Sequence, residues 1–230
     1  MLSSLFSTGS VKRIWGCIAP SPGCGITLRL DHPNVIRLFG ITRLNRKLGI
    51  VIEFAEHCSL DKWIGKTDQV RMTKIAFGIL DGLEYVHSQH VIHRDIKPQN
   101  ILMCGPGDDM IPKIANFGVS QLIQTAIMTH TRVGLDLYMA PEVRMMNHYS
   151  FPADIYSVAM IFFEMFNKQL ILQSSTEVKQ FIMSVAHGRT SEFPQSCKVP
   201  VCLRGVIERG WNENQEKRPK LAEYRSALKG

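Results

Sequence analysis

His93-Arg94-Asp95-Ile96-Lys97-Pro98-Gln99-Asn100 places four residues suited to phosphate chemistry within one short stretch. Asp95 can accept a proton from an attacking hydroxyl, because an ionised carboxylate is acceptor-only. Lys97 can neutralise charge on a transferring phosphoryl group. Asn100 can offer an amide oxygen to Mg²⁺, a hard cation that takes oxygen ligands. Arg94 can hold a phosphorylated loop through charge-assisted hydrogen bonds. The same string can also persist as an inert fold element, so its surroundings decide its meaning.

Working outward, Asn116-Phe117-Gly118 comes first, then Ala140-Pro141-Glu142 and Asp154-Ile155-Tyr156-Ser157-Val158-Ala159. Trp211 and Arg218-Pro219 close the series. In this order and spacing, from about Leu28 to Leu228, the chain resembles the eukaryotic protein kinases, whose catalytic loop reads H-R-D-x-x-x-x-N. Lys97, two places after Asp95, resembles the serine/threonine form of that loop, and Tyr138-Met139-Ala140-Pro141-Glu142-Val143 resembles the tyrosine-kinase-like group. The resemblance implies an α+β fold with a mostly helical large lobe and a truncated, strand-containing small lobe. It also implies ATP and Mg²⁺ as cofactors and a protein substrate or signalling partner.

Residue by residue, the resemblance makes Asp95, Lys97 and Asn100 catalytic, with Asn100 and Asn116 at the metal positions. It makes Ile52 the gatekeeper of the adenine pocket and Leu102 its floor. The Glu53 carbonyl and the Ala55 N–H would bind the adenine. His93 and Phe117 become packing elements between the lobes, with Leu38 beside them and Thr27 at the helix C position. Glu142 and Arg218 become a buried ion pair, and Asp154 the residue that holds the catalytic-loop backbone. Thr125, Thr129 and Thr131 become candidate phosphorylation sites for capture by Arg94, or ordinary polar loop residues.

The chain departs from the family at its phosphate end. Counting back from Asp31-His32-Pro33-Asn34-Val35, the helix C glutamate falls near Gly23 and the strand lysine near the first few residues, and neither is present. Gly23-Cys24-Gly25 is not read as a G-x-G-x-x-G loop, since no strand is expected before it and no Val-Ala-Ile-Lys-like strand after it. Lys12 lies too close to serve as the strand lysine, so a nucleotide is expected to be covered on one side only. Asn116 replaces the metal-binding Asp and brings no negative charge, which lowers affinity for a cation that prefers carboxylates. Leu135 follows Gly134 where a Thr hydroxyl would steady Asp95 and Lys97, a bond that Leu cannot make. Losing one positioned charge or donor costs of order 3 kcal/mol in the barrier. The expectation is therefore a weak or inactive, pseudokinase-like signalling module that binds ATP and Mg²⁺ weakly. An active serine/threonine kinase and an incomplete copy of one are the alternatives.

Composition fits an ordinary globular domain. The 230 residues are 45% hydrophobic, enough for one large core or a two-lobed one. No apolar run is long enough to span a bilayer, and Val158–Phe163 reads as a buried helix. The net charge of +7 is scattered rather than striped, which argues against nucleic acid as a partner. Six cysteines form no CxxC pair, and free thiols in a reducing cytoplasm are expected. Residues 1–30 contain no Asp or Glu and read as an atypical N-terminal segment or small-lobe remnant. Residues 31–229 read as the kinase domain, divided into a partial small lobe (31–55) and a large lobe (56–229).

Periodicity predicts strands over Val35–Thr42, Leu48–Glu53, Ile101–Met103 and Lys113–Ala115. It predicts a short helix over Leu60–Ile64 and a long one over Gln69–Gln89, with Met72, Ile75, Ile79, Leu83 and Val86 on one apolar face. Further helices are predicted over Ala153–Phe166, Ser175–His187, Val201–Trp211 and Lys220–Leu228.

Overall fold

The computed structural model describes residues 13–17, 29–44, 47–106, 109–117, 121–122, 136–146, 149–186 and 192–230. Lys12, Gly23-Cys24-Gly25, Thr27, Gly118, Thr125, Thr129, Thr131, Gly134 and Leu135 lie outside the described residues. Strands β1 (Arg13–Cys17), β2 (Leu38–Leu44) and β3 (Lys47–Ile52) form a sheet in the order β1-β3-β2, antiparallel throughout. β1 corrects the sequence reading, because a strand does precede Gly23-Cys24-Gly25 and fills the position beside β3. Its five residues, Arg-Ile-Trp-Gly-Cys, contain no lysine.

Helix α1 (Gln69–Ser88) starts where Asp68 accepts a hydrogen bond from the Arg71 N–H at 2.8 Å, satisfying one of the helix's orphan donors. The predicted stripe Met72, Ile75, Ile79, Leu83 and Val86 is buried in full. Gly78 and Gly82 let the 31–36 segment pack onto this helix. A Cβ on Gly82 would stand 2.5 Å from the Asn34 carbonyl oxygen, and one on Gly78 2.6 Å from Pro112. Asn34 in turn donates its side-chain amide to the Pro112 carbonyl at 2.9 Å.

Strand β4 (Val91–Ile92) pairs with β7 (Gln121–Leu122), and β5 (Ile101–Cys104) forms a hairpin with β6 (Ile111–Ile114). β5 contains the predicted Ile101–Met103 strand, whereas β6 starts two residues before the predicted Lys113–Ala115 and ends one residue earlier. Val35 makes a single bridge to Ile114 rather than opening β2, and Ala115 falls beyond β6, donating its N–H to the Asn100 carbonyl. Leu60–Lys62 is one 3₁₀ turn rather than a longer helix.

Helices α2 (Pro141–Met146), α3 (Phe151–Asn167), α4 (Thr176–Ala186), α5 (Val201–Gly210) and α6 (Leu221–Lys229) follow. α3 is buried on every side from Ala153 to Asn167, as expected of a central helix surrounded by others. Its Phe163 packs with Phe181, Phe193 and Trp211, and its Phe162 sits edge-on to Tyr224. Among the described residues, no helix is long and apolar enough to cross a membrane.

Candidate phosphate-chemistry site

The loop after β4 hangs from α3. Asp154 is fully buried, and its two oxygens accept the backbone N–H groups of His93 and Arg94, each at 2.9 Å. His87, in the last turn of α1, reaches the same carboxylate at 2.8 Å. Burial alone would push this carboxyl up. The bonds and charges from His87 and His93 outweigh it and hold Asp154 below the usual carboxylate range.

His93 is buried and neutral. Its Nε2–H donates to the Ala115 carbonyl at 3.0 Å, and its Nδ1 accepts the Asp95 N–H at 3.3 Å, so the two bonds fix one tautomer. Burial, opposed by Asp154, keeps its pKa low. The ring meets Phe117 edge-on with centroids 4.8 Å apart, and Leu38 lies in the same continuous core. The imidazole is therefore a buried, packed group.

Asp95, Lys97 and Asn100 come together tightly. Lys97 Nζ lies 2.7 Å from both Asp95 oxygens, and Asn100 Nδ2 donates to the Asp95 carbonyl and to Asp95 Oδ2, both at 2.7 Å. Asn116 then donates its amide nitrogen to Asn100 Oδ1 at 3.2 Å. Arg94 and Asn116 both hold positive φ, at 72° and 69°, a left-handed conformation uncommon outside glycine. Such backbone strain gathers at functional sites.

These residues, as arranged, do not fit Mg²⁺. The ion demands several oxygens in near-octahedral order. Here both Asp95 oxygens face an ammonium, and the Asn100 oxygen faces an amide nitrogen.

The adenine-side positions are connected to this site through β6. Ile52 and Leu102 are buried, and the Glu53 carboxylate takes Lys113 Nζ at 3.1 Å and the Arg37 N–H at 3.3 Å. Lys113 lies three residues before Asn116. The Glu53–Lys113 bridge escaped the sequence reading, although an acid closing one strand and a base within another was its available signal.

Glu142 and Arg218 form a two-pronged pair at 2.6 and 2.7 Å. Arg218 also donates to the carbonyls of Asn212 and Pro152, both at 2.9 Å, so each of its three nitrogens is hydrogen-bonded. Arg94 stacks over the Tyr149 ring at 4.5 Å.

A second buried acid was missed. Glu164 of α3 accepts the Tyr138 hydroxyl and the Ile171 N–H, each at 2.8 Å. Its signal was a lone charge within Ile161-Phe162-Phe163-Glu164-Met165-Phe166.

Comparison with known proteins gives one consistent result. The family described as "Protein kinase domain" matches residues 24–227. In Arabidopsis thaliana, the serine/threonine/tyrosine-protein kinase HT1 is 29% identical over 87% of this chain and 51% of its own length. The serine/threonine-protein kinase ATG1b is 28% identical over 75% of this chain and 25% of its own. The probable receptor-like protein kinase At5g39020 is 34% identical over 71% of this chain and 20% of its own. This chain thus spans between a fifth and a half of these relatives' lengths.

Proposed function

Because the chain belongs to the protein kinase domain family, we propose that it is a kinase-fold signalling module that transfers phosphate weakly or not at all. The family's activity is ATP-dependent transfer to protein hydroxyls. That chemistry depends almost entirely on positioning and on neutralising charge. The observation that carries the reading is Asn116: an uncharged amide at the turn where the family places a carboxylate, leaving Asp95 as the carboxylate of the site. Asp95 is already tied to Lys97, so the loop is internally balanced without substrate.

Were a protein hydroxyl seated at Asp95, this chain's own residues would act in a simple order. Asp95 would accept the hydroxyl proton, Lys97 would swing its ammonium toward the transferring group, and Asn100 would keep the loop closed. Mg²⁺, where a kinase holds it, neutralises phosphate charge, and these side chains do not supply its ligands.

A second reading, an active serine/threonine kinase, is favoured by the assembled Asp95–Lys97–Asn100 set. Of the relatives above, ATG1b is named a serine/threonine kinase and HT1 a serine/threonine/tyrosine kinase. Placement in the cytoplasm and action through a protein partner belong to the same proposal.

The test is transfer of the terminal phosphate of ATP to a generic protein substrate by the purified chain. The expected signal is no greater than that of Asp95→Asn. Robust transfer abolished by Asp95→Asn would overturn the module reading and install the second.

A further inference from the structure

We infer that Asn116 does more than omit a metal ligand: it locks Asn100, so that this one side chain closes both cation positions. The inference rests on the proposed function in one respect, that Asn100 and Asn116 stand where the family holds its cation.

The orientation of the amides follows from chemistry. Asp95 accepts a hydrogen bond from Asn100 at 2.7 Å, and an ionised carboxylate can only accept. Asn100 must therefore turn its nitrogen toward Asp95. A second bond to the Asp95 carbonyl, also an acceptor, demands the same orientation. The Asn100 oxygen is left facing Asn116 at 3.2 Å, and only the amide nitrogen of Asn116 can satisfy it. Each amide thus fixes the next, from Asp95 through Asn100 to Asn116.

An aspartate at 116 behaves differently. It has no N–H to donate, so its oxygens and that of Asn100 would repel unless a cation sat between them. The backbone at 116 holds φ at 69°, which glycine adopts without strain, so Asn116→Gly removes the lock and adds no carboxylate. The two variants separate the two effects of the asparagine.

The experiment uses the whole chain labelled with ¹⁵N and Mn²⁺ alone as the probe. It follows paramagnetic broadening of the Asn100 side-chain amide. In the unaltered chain, that signal should broaden no earlier than those of exposed control amides. Asn116→Asp should broaden at roughly tenfold lower Mn²⁺, given the preference of such cations for carboxylate oxygen. Asn116→Gly should broaden at about threefold lower Mn²⁺, with the freed oxygen and water as ligands. Early broadening in the unaltered chain would overturn the inference. So would an Asn116→Gly variant that matches it, since Asn100 would then not be locked. The transfer assay fails or succeeds separately: robust transfer sinks the proposed function whatever Mn²⁺ does, and early Mn²⁺ broadening sinks the lock whatever transfer does.

Discussion

Asp154 and Glu164 lie on the same helix, both are buried, and both accept hydrogen bonds, yet their acidities move in opposite directions. Asp154, in the first turn of α3, is held below the ordinary range, whereas burial pushes Glu164 up to about 7. The difference lies in the donors. Asp154 receives two backbone N–H groups and an imidazole at a helix N-terminus, where the macrodipole favours an anion. Glu164 receives one N–H and one phenol near the C-terminus of α3, and Asp61 adds a repelling charge. Burial sets the cost of each charge, and the partners decide whether it is offset.

The largest expected effect comes from Asp154→Ala. It orphans the backbone N–H groups of His93 and Arg94 and the His87 ring at once, so it should cost about 4 kcal/mol in denaturant unfolding. Asp154 has a lowered folded pKa. Its stabilisation is present above the unfolded value and lost as pH falls through the folded one. The variant should therefore also flatten the acid limb of the stability profile. A cost within experimental error of zero would mean that Asp154 does not hold the loop.

Glu164→Gln should give the next largest change, and at the other end of the pH scale. A raised folded pKa means that the folded state binds more protons, so this group's contribution falls as pH rises from about 4.5 to about 7. The full swing is about 3 kcal/mol at 1.36 kcal/mol per unit. The stability difference between Glu164→Gln and the unaltered chain should shift by about 2 kcal/mol in the variant's favour between pH 5 and pH 8. A constant difference across that range would show that Glu164 is ionised throughout, like Asp154.

The two acids were not equally legible in the sequence. Asp154 stands in a stretch that resembles a family motif, as do Asp95, Asn100, Glu142 and Arg218, and that resemblance is what made them legible. Glu164 answers to Tyr138 and Ile171, partners set by how turns fold back on α3, and no spacing rule reveals such contacts. The α1 stripe was legible for a related reason, since helical period is local. β1 was not, because Arg-Ile-Trp-Gly-Cys lacks alternation and its strand character comes from pairing with β3, over thirty residues away. Asn116 was visible as a substitution, but its bond to Asn100 depends on a left-handed turn that the sequence does not announce.

His87→Leu keeps apolar bulk against Phe151 and removes one donor from Asp154, which the two backbone N–H groups still hold. The expected cost is about 1.5 kcal/mol. The acid-unfolding midpoint should move to higher pH, because Asp154 loses a bond that favours its charged form. An unmoved midpoint would mean that the His87 bond does not lower the Asp154 pKa and would narrow the contrast with Glu164.

The smallest change, Tyr138→Phe, tests the weaker site directly. The hydroxyl donates to Glu164 at 2.8 Å, while the Tyr138 carbonyl takes Ser157 Oγ at 2.6 Å, so the residue clasps the turn before α2 to the central helix. Burial and the neighbouring Glu164 push the phenol up, so it stays a donor throughout the neutral range. Below about pH 6 Glu164 is mostly protonated and the lost bond is between neutral groups. Near pH 8 Glu164 is ionised, and the lost bond is charge-assisted, roughly twice as strong. Tyr138→Phe should therefore cost about 1 kcal/mol more at pH 8 than at pH 6 in matched urea titrations. The Ser157 bond survives in the variant, so amide exchange in Asp136–Tyr138 should rise more at pH 8 than at pH 6 once intrinsic rates are divided out. An equal, non-zero cost at both pH values would mean that Glu164 does not change its charge between pH 6 and pH 8, and no cost at either would mean that the residue contributes only its ring.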